Sequence, residues 1–311
     1  MRSRRSLPVI AAIAALAFAL PAVAAPDRWP GRASYSVPKA KLDAALSCSP
    51  EVSSEHEPVL LVHGTGANRE ANFKWNYWPA LQRSGFTVCW VELPRAALGD
   101  MQIAAEYVAR AVEVMQRRWR SPVDVIGHSQ GAVLPRWAIK YFPSGRHVDD
   151  WVGLAGPNRG TLVADVSAAS GETAEAVWQM RLRSRFMAVL NAGDETPGPI
   201  SYTSIYSAHD ELVQPWTTAG LRGGRNILIQ DFCPGRAVTH VSMLLDAAVY
   251  ALVLDALTHP GPADPSRAPS LVCFATYMPG AAPAFPGSIP DWSEEVVTSR
   301  EPPLMPYARR R

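Results

Sequence analysis

The chain has 311 residues, 48% of them hydrophobic and 19% charged, with a formal net charge of +2. That balance excludes a disordered chain and leaves ample apolar material for a buried core. With no basic stripe, RNP motif or zinc-finger spacing, nothing in it points to nucleic acid. Proline is abundant, 28 of 311 residues, against a usual share of about 5%, which predicts many rigid loops.

The first residues read as an address rather than as part of a fold. Arg2, Arg4 and Arg5 precede an apolar stretch from Val9 to Leu20, and Ala22-Val23-Ala24 supplies the small-x-small pattern at which a secretory signal is cut. The stretch is well short of the roughly 20 residues that cross a bilayer. Residues 1–24 are therefore expected to be removed, leaving 25–311 as a single domain with no membrane-spanning segment. Removal takes away three Arg and no acid, so the charge goes from 30 − 28 to 27 − 28, or −1. The mature protein is expected to be secreted.

Export gives the cysteines a meaning. Cys48, Cys89, Cys233 and Cys273 are four, with no C-x-x-C pair, so an oxidising compartment favours two disulfides over a metal site. Sequence alone allows three connectivities. The simplest joins chain neighbours, Cys48 to Cys89 and Cys233 to Cys273.

In chain order, short apolar runs occur at Pro58–Val62, Phe86–Val91, Val123–Ile126, Trp151–Leu154, Ile200–Tyr206 and Ile227–Ile229. They are continuous rather than alternating, the pattern of strands buried on both faces. Helical periodicity separates them. Over Gln102–Trp119, Ile103, Tyr107, Ala111 and Val114 form one row and Val108, Val112, Met115 and Trp119 the next, a broad apolar stripe. Further helices are predicted over Gln130–Tyr141, Thr173–Leu190 and Val241–Leu257. Strands alternating with helices imply right-handed crossovers and a mainly parallel sheet, so the fold class is α/β. From about residue 258 the text turns Pro/Gly-rich and is expected to wrap the surface as loops.

The residues that carry chemistry begin with Gly127-His128-Ser129-Gln130-Gly131. It follows a strand and precedes a helix, the setting of a nucleophile elbow, in which a serine sits on a turn too tight for flanking side chains. A serine needs a base to take its proton. The expected order is Ser, then acid, then His. Two histidines come late enough, His240 and His259. His240 opens an apolar helix after a loop and is preferred, whereas His259 stands at the start of the Pro-rich tail. For the acid, Asp210 lies just beyond the strand 200–206. Asp194 precedes that strand, Asp231 is close to His240 in the chain, and Glu211 is the nearest rival. The negative oxygen of an acyl-transfer intermediate needs donors. The backbone N–H of Gln130 is one, and Thr65, in the His63-Gly64-Thr65-Gly66 loop after the first central strand, is the other, through its N–H and its hydroxyl.

Four stretches in one order carry a resemblance: Leu61-Val62-His63-Gly64-Thr65-Gly66, Ser129-Gln130-Gly131, Tyr206-Ser207-Ala208-His209-Asp210-Glu211-Leu212-Val213-Gln214-Pro215, and Leu304-Met305-Pro306-Tyr307-Ala308-Arg309. With them the chain resembles the lipase B family of α/β-hydrolases from about Leu46 to Arg309. The resemblance implies an α/β-hydrolase fold with helices on both faces of the sheet and hydrolysis of carboxylic esters, triacylglycerols included, without metal or organic cofactor. It puts Ser129, Asp210 and His240 at the triad positions and Thr65 and Gln130 at the oxyanion positions, and it matches Cys48–Cys89 and Cys233–Cys273 to family disulfides.

There are departures. His128 stands where the family has a bulky tryptophan. Asn158 replaces an acidic residue in the acyl pocket, and Met180 a glutamine. The segment from Cys273 to Glu301 is shorter and broken by prolines, and a third disulfide is missing. Thr161, Leu162, Val163, Leu212 and Val213 are expected to line an acyl cleft, unless they are ordinary core. The expected partner is an ester or lipid substrate, met at a lipid–water interface, by a monomer. The alternatives keep the machinery but change the substrate to cutin, polyester, wax or thioester, or keep only the fold in a non-catalytic binding protein.

Overall fold

The computed structural model describes residues 29, 31–52, 56–281 and 297–309. The expected signal segment and its cleavage site lie outside them.

Among the described residues, nine strands run in chain order: β1 Leu46–Cys48, β2 Val59–Val62, β3 Val88–Val91, β4 Val123–His128, β5 Val148–Leu154, β6 Thr173–Ala174, β7 Ser201–Tyr206, β8 Arg225–Leu228 and β9 Val297–Thr298. Seven of them form one sheet in the order β1-β3-β2-β4-β5-β7-β8. Within this sheet only the pairing of the edge strand β1 with β3 is antiparallel. Each of the six apolar runs became a strand of this sheet. The three-residue β1, half-buried and at the edge, has no such run. Its register sets Cys48 opposite Cys89, and those two sulfurs are bonded, as are Cys233 and Cys273.

The continuous apolar runs follow from burial on both faces. In β2, Leu60 and Val62 join one core with Met115 and Trp137, while Val59 and Leu61 join another with Tyr77 and Val253. Successive side chains of a strand point to opposite faces, so both parities must be apolar. The helices Met101–Trp119 and Gln130–Tyr141 cover the first face, and Tyr77–Arg83 and Ala247–Thr258 the second.

Two predicted helices are broken. Over 173–190 the chain makes β6, a helix Glu175–Gln179 and a second helix Arg185–Leu190. Ser184 causes the restart: its hydroxyl donates to the Gln179 carbonyl at 2.6 Å and accepts the Met187 N–H at 3.0 Å, closing one helix and capping the next. Over 241–257 a short turn at Ser242–Leu244 precedes the helix Ala247–Thr258, whose cap Asp246 accepts the N–H groups of Ala248 and Val249.

Among the described residues after Thr258, regular structure is sparse. Gln102 holds the tail by donating to the Pro303 carbonyl and accepting from Met305 N–H, and Tyr307 takes the indole N–H of Trp137. The loops after β2, β4, β7 and β8 all leave the carboxyl edge of the sheet, the place where open α/β sheets build their sites.

Candidate active site

Ser129 has φ 57° and ψ −128°, a backbone conformation a side chain rarely tolerates. The neighbouring glycines make it possible. A Cβ on Gly127 would lie 2.0 Å from the carbonyl oxygen of Gly131, and one on Gly131 would lie 2.1 Å from that of Val62. The turn is therefore packed to contact by backbone alone. Gln130 begins the helix Gln130–Tyr141, so its N–H is among those left without a carbonyl behind them.

Asp210 and His240 meet beside this turn. Nδ1 of His240 lies 3.0 and 2.9 Å from the two carboxylate oxygens of Asp210. Asp210 is itself fixed: its Oδ1 accepts the N–H groups of Leu212 and Val213 at 2.9 and 2.8 Å. Both side chains are nearly excluded from water. A carboxylate on Nδ1 fixes that nitrogen as the donor, which leaves Nε2 to accept a proton. His240 precedes the short turn Ser242–Leu244 rather than the long helix.

The rival residues are elsewhere or do other work. Glu211 accepts the backbone N–H of His240 at 3.0 Å, holding the loop and not the ring. His259 ends the helix Ala247–Thr258 and pairs with Asp255 at 3.3 Å. Asp194 and Asp231 are solvent-exposed, Asp194 accepting the N–H of Thr196.

One cavity of about 450 Å³ joins Ser129, His240, Thr65, His128, Thr161 and Met180. Val163, Leu212 and Val213 also line it, whereas Leu162 does not and is half-exposed. Thr65 gives its hydroxyl proton to Oε1 of Gln130 at 2.5 Å, and its oxygen lies 3.8 Å from the Met180 sulfur. The hydroxyl thus ties the two oxyanion candidates to each other, and the backbone N–H is what Thr65 has left to offer a substrate. Thr161 gives its proton to the Leu212 carbonyl and accepts from Gln214 N–H, bracing the acid-bearing loop from across the cavity.

Asn158 corrects the sequence reading. It is fully buried and is not among the residues that line the cavity, although its neighbour Pro157 is. Its side-chain amide donates to the carbonyl of Ala219 at 2.7 Å and its Oδ1 accepts from Arg136 at 3.4 Å, while its backbone carbonyl accepts from Arg136 and from Asn191. The Ala219 carbonyl and the buried guanidinium hold its side chain in place.

Asn72 was missed, and His63 was named only as part of the oxyanion loop. Asn72 lines the cavity, accepts Gly64 N–H at 3.3 Å and faces Nδ1 of His128 at 3.4 Å. His63 is wholly buried: Nδ1 donates to the Gly64 carbonyl and Nε2 accepts Leu93 N–H, both at 3.0 Å. The one sequence hint was a polar residue inside an otherwise buried segment. Burial lowers both imidazoles, His63 to about 4 and His128, with help from the neighbouring His240, to about 3, so both are neutral near pH 7.

A seven-stranded, mainly parallel sheet carrying a serine on a strained strand–helix turn defines the α/β-hydrolase class. The sequence profile of the family described as lipase (class 2) matches residues 56–250. Lipase B of Pseudozyma antarctica is 31% identical over 303 residues, spanning 89% of this chain and 86% of its own. The crystal structure of Aspergillus fumigatus lipase B is similar at a TM-score of 0.79 and 30% identity, over 90% of this chain and 74% of that one. The mature form of Bacillus licheniformis lipase BlEst2 shares the fold at a TM-score of 0.51 and 16% identity, over 58% of this chain and 87% of its own. The chain belongs to the class 2 lipase family and, like its lipase B relatives, is a carboxylic ester hydrolase.

Proposed function

We propose that the chain is a secreted lipase that cleaves triacylglycerol-type esters through an acyl-enzyme on Ser129. The Ser129 oxygen adds to the ester carbonyl carbon as its proton passes to Nε2 of His240, and Asp210 stabilises the imidazolium. The carbonyl oxygen, now negative, accepts from the backbone N–H groups of Thr65 and Gln130, each such donor being worth about 10²–10³ in turnover. When the intermediate collapses, the carbon–alkoxide bond breaks and His240 returns its proton to the leaving alcohol. Water then repeats the sequence on the acyl-enzyme, releasing the acid and restoring Ser129.

The single observation that carries this reading is His240, held by both oxygens of a buried Asp210, in the same cavity as a serine on a strained turn. The apolar walls favour an acyl chain: Ala67, Val163, Ala164, Val177, Met180 and Leu244 line the cavity, and Leu212 and Val241 stand half-exposed along its lining. Such a rim favours work at a lipid surface. The two disulfides and the signal pattern over 1–24 support secretion.

A series of esters from butyrate to oleate, in solution and as an emulsion, tests the substrate class. Rates on emulsified oleate at least equal to those on dissolved butyrate are expected. A steep fall beyond butyrate with no response to an interface would instead make the chain an esterase of small soluble esters.

A further inference from the structure

At the other end of the sheet, where β4 and β5 begin, three carboxylates converge. Asp124, Asp149 and Asp150 each bring an oxygen within 4.8 Å of the others. Asp124 and Asp150 are 1% and 7% exposed, while Asp149 faces solvent. Asp124 sits where the pairing of β4 with β5 shifts register between Val123 and Val125, a local irregularity of the kind that re-aims a side chain. Ser129 is five residues further on, about 16 Å at the usual strand rise, so this cluster is separate from the ester-cleaving site.

The buried oxygens of this cluster are not all satisfied. One oxygen of Asp124 accepts the backbone N–H of Asp150 at 3.3 Å. Its other oxygen, and Oδ1 of Asp150, have no hydrogen-bond partner among the described residues. The charges acting most strongly on Asp124 are Asp150, Glu57 and Asp149, all acidic. A buried carboxylate without a partner needs either a proton or a cation. A proton serves one pair of oxygens. A divalent cation neutralises two carboxylates at once, and the exposed Asp149 gives it a way in from solvent.

We propose that Asp124, Asp149 and Asp150 form a structural calcium site that ties the start of β4 to the start of β5. All three ligands are hard carboxylate oxygens, which excludes a preference for metals that seek nitrogen or sulfur. The set is irregular and open on one side, so water completes the six to eight ligands that calcium accepts, whereas magnesium demands a near-ideal octahedron.

The test is calorimetric titration of the metal-stripped full chain with calcium chloride, paired with unfolding temperatures in EDTA and in calcium. One ion per chain is expected, with a melting temperature that rises by several degrees at saturating calcium. Asp124→Asn is expected to abolish binding and, in EDTA, to melt at or above the wild type because repulsion is relieved. Should that variant fail to fold, Asp149→Asn, at an exposed position, is expected to weaken binding at least ~10-fold. An equal response to magnesium would overturn the assignment to calcium. No calcium binding by the folded wild type would overturn the site itself.

Discussion

Nε2 of His128 donates to the backbone carbonyl of His240 at 3.1 Å. A carbonyl only accepts, so this neutral ring carries its proton on Nε2. The residue before the proposed nucleophile therefore holds the loop of the proposed base, with the two rings 4.9 Å apart. Where the lipase B family carries a bulky tryptophan, this chain has a polar clasp between the elbow and the histidine loop.

The clasp should show in turnover more than in folding. His128→Phe keeps an aromatic ring and removes the donor. A net hydrogen bond of about 1 kcal/mol corresponds to ~5-fold, so kcat is expected to fall ~5-fold while the melting temperature stays within a few degrees. His128→Gln, which restores a donor, is expected to recover most of that loss. Wild-type kcat in the phenylalanine variant would mean that the bond positions nothing.

His63 predicts an acid limb in the stability curve. Neutral, its Nε2 accepts the Leu93 N–H, and protonation would set a proton against that N–H, with the Glu92 carboxylate 3.7 Å from the same nitrogen. Burial lowers it from 6.5 to about 4. Between those values the unfolded chain binds a proton that the folded chain refuses, so stability falls as pH drops from 6.5 towards 4. The loss from this residue approaches about 3 kcal/mol at the lower end. Denaturant melts across that range should therefore show a flatter acid limb in His63→Gln than in the wild type. Parallel limbs would assign the acid loss to other groups.

How much of this was legible follows from how local each signal is. The strands of the central sheet could be read because burial on both faces leaves a run such as Val59–Val62 with no polar residue. The elbow could be read because Gly127 and Gly131 are demanded by contacts within the turn and with the adjoining strand. The break in 173–190 was hidden because Ser184 caps by geometry, and its apolar neighbours keep a helical rhythm through the break. Asn72 gave no signal because its partners Gly64 and His128 are 8 and 56 residues away. Asn158 was placed in the pocket by resemblance, and its side chain is held by the carbonyl of Ala219, 61 residues off. The half-buried β1 has too short a pattern to separate from a loop.

The most direct measurement of the central claim is labelling by a fluorophosphonate, with the adduct located by peptide mapping. Stoichiometric modification of Ser129 is expected in the wild type and in His259→Ala, with labelling slowed by at least about 10³ in His240→Ala and ester turnover cut by about 10⁴ or more in Ser129→Ala. Folded wild-type protein that stays unlabelled at Ser129, or labels there just as fast without His240, would contradict the account.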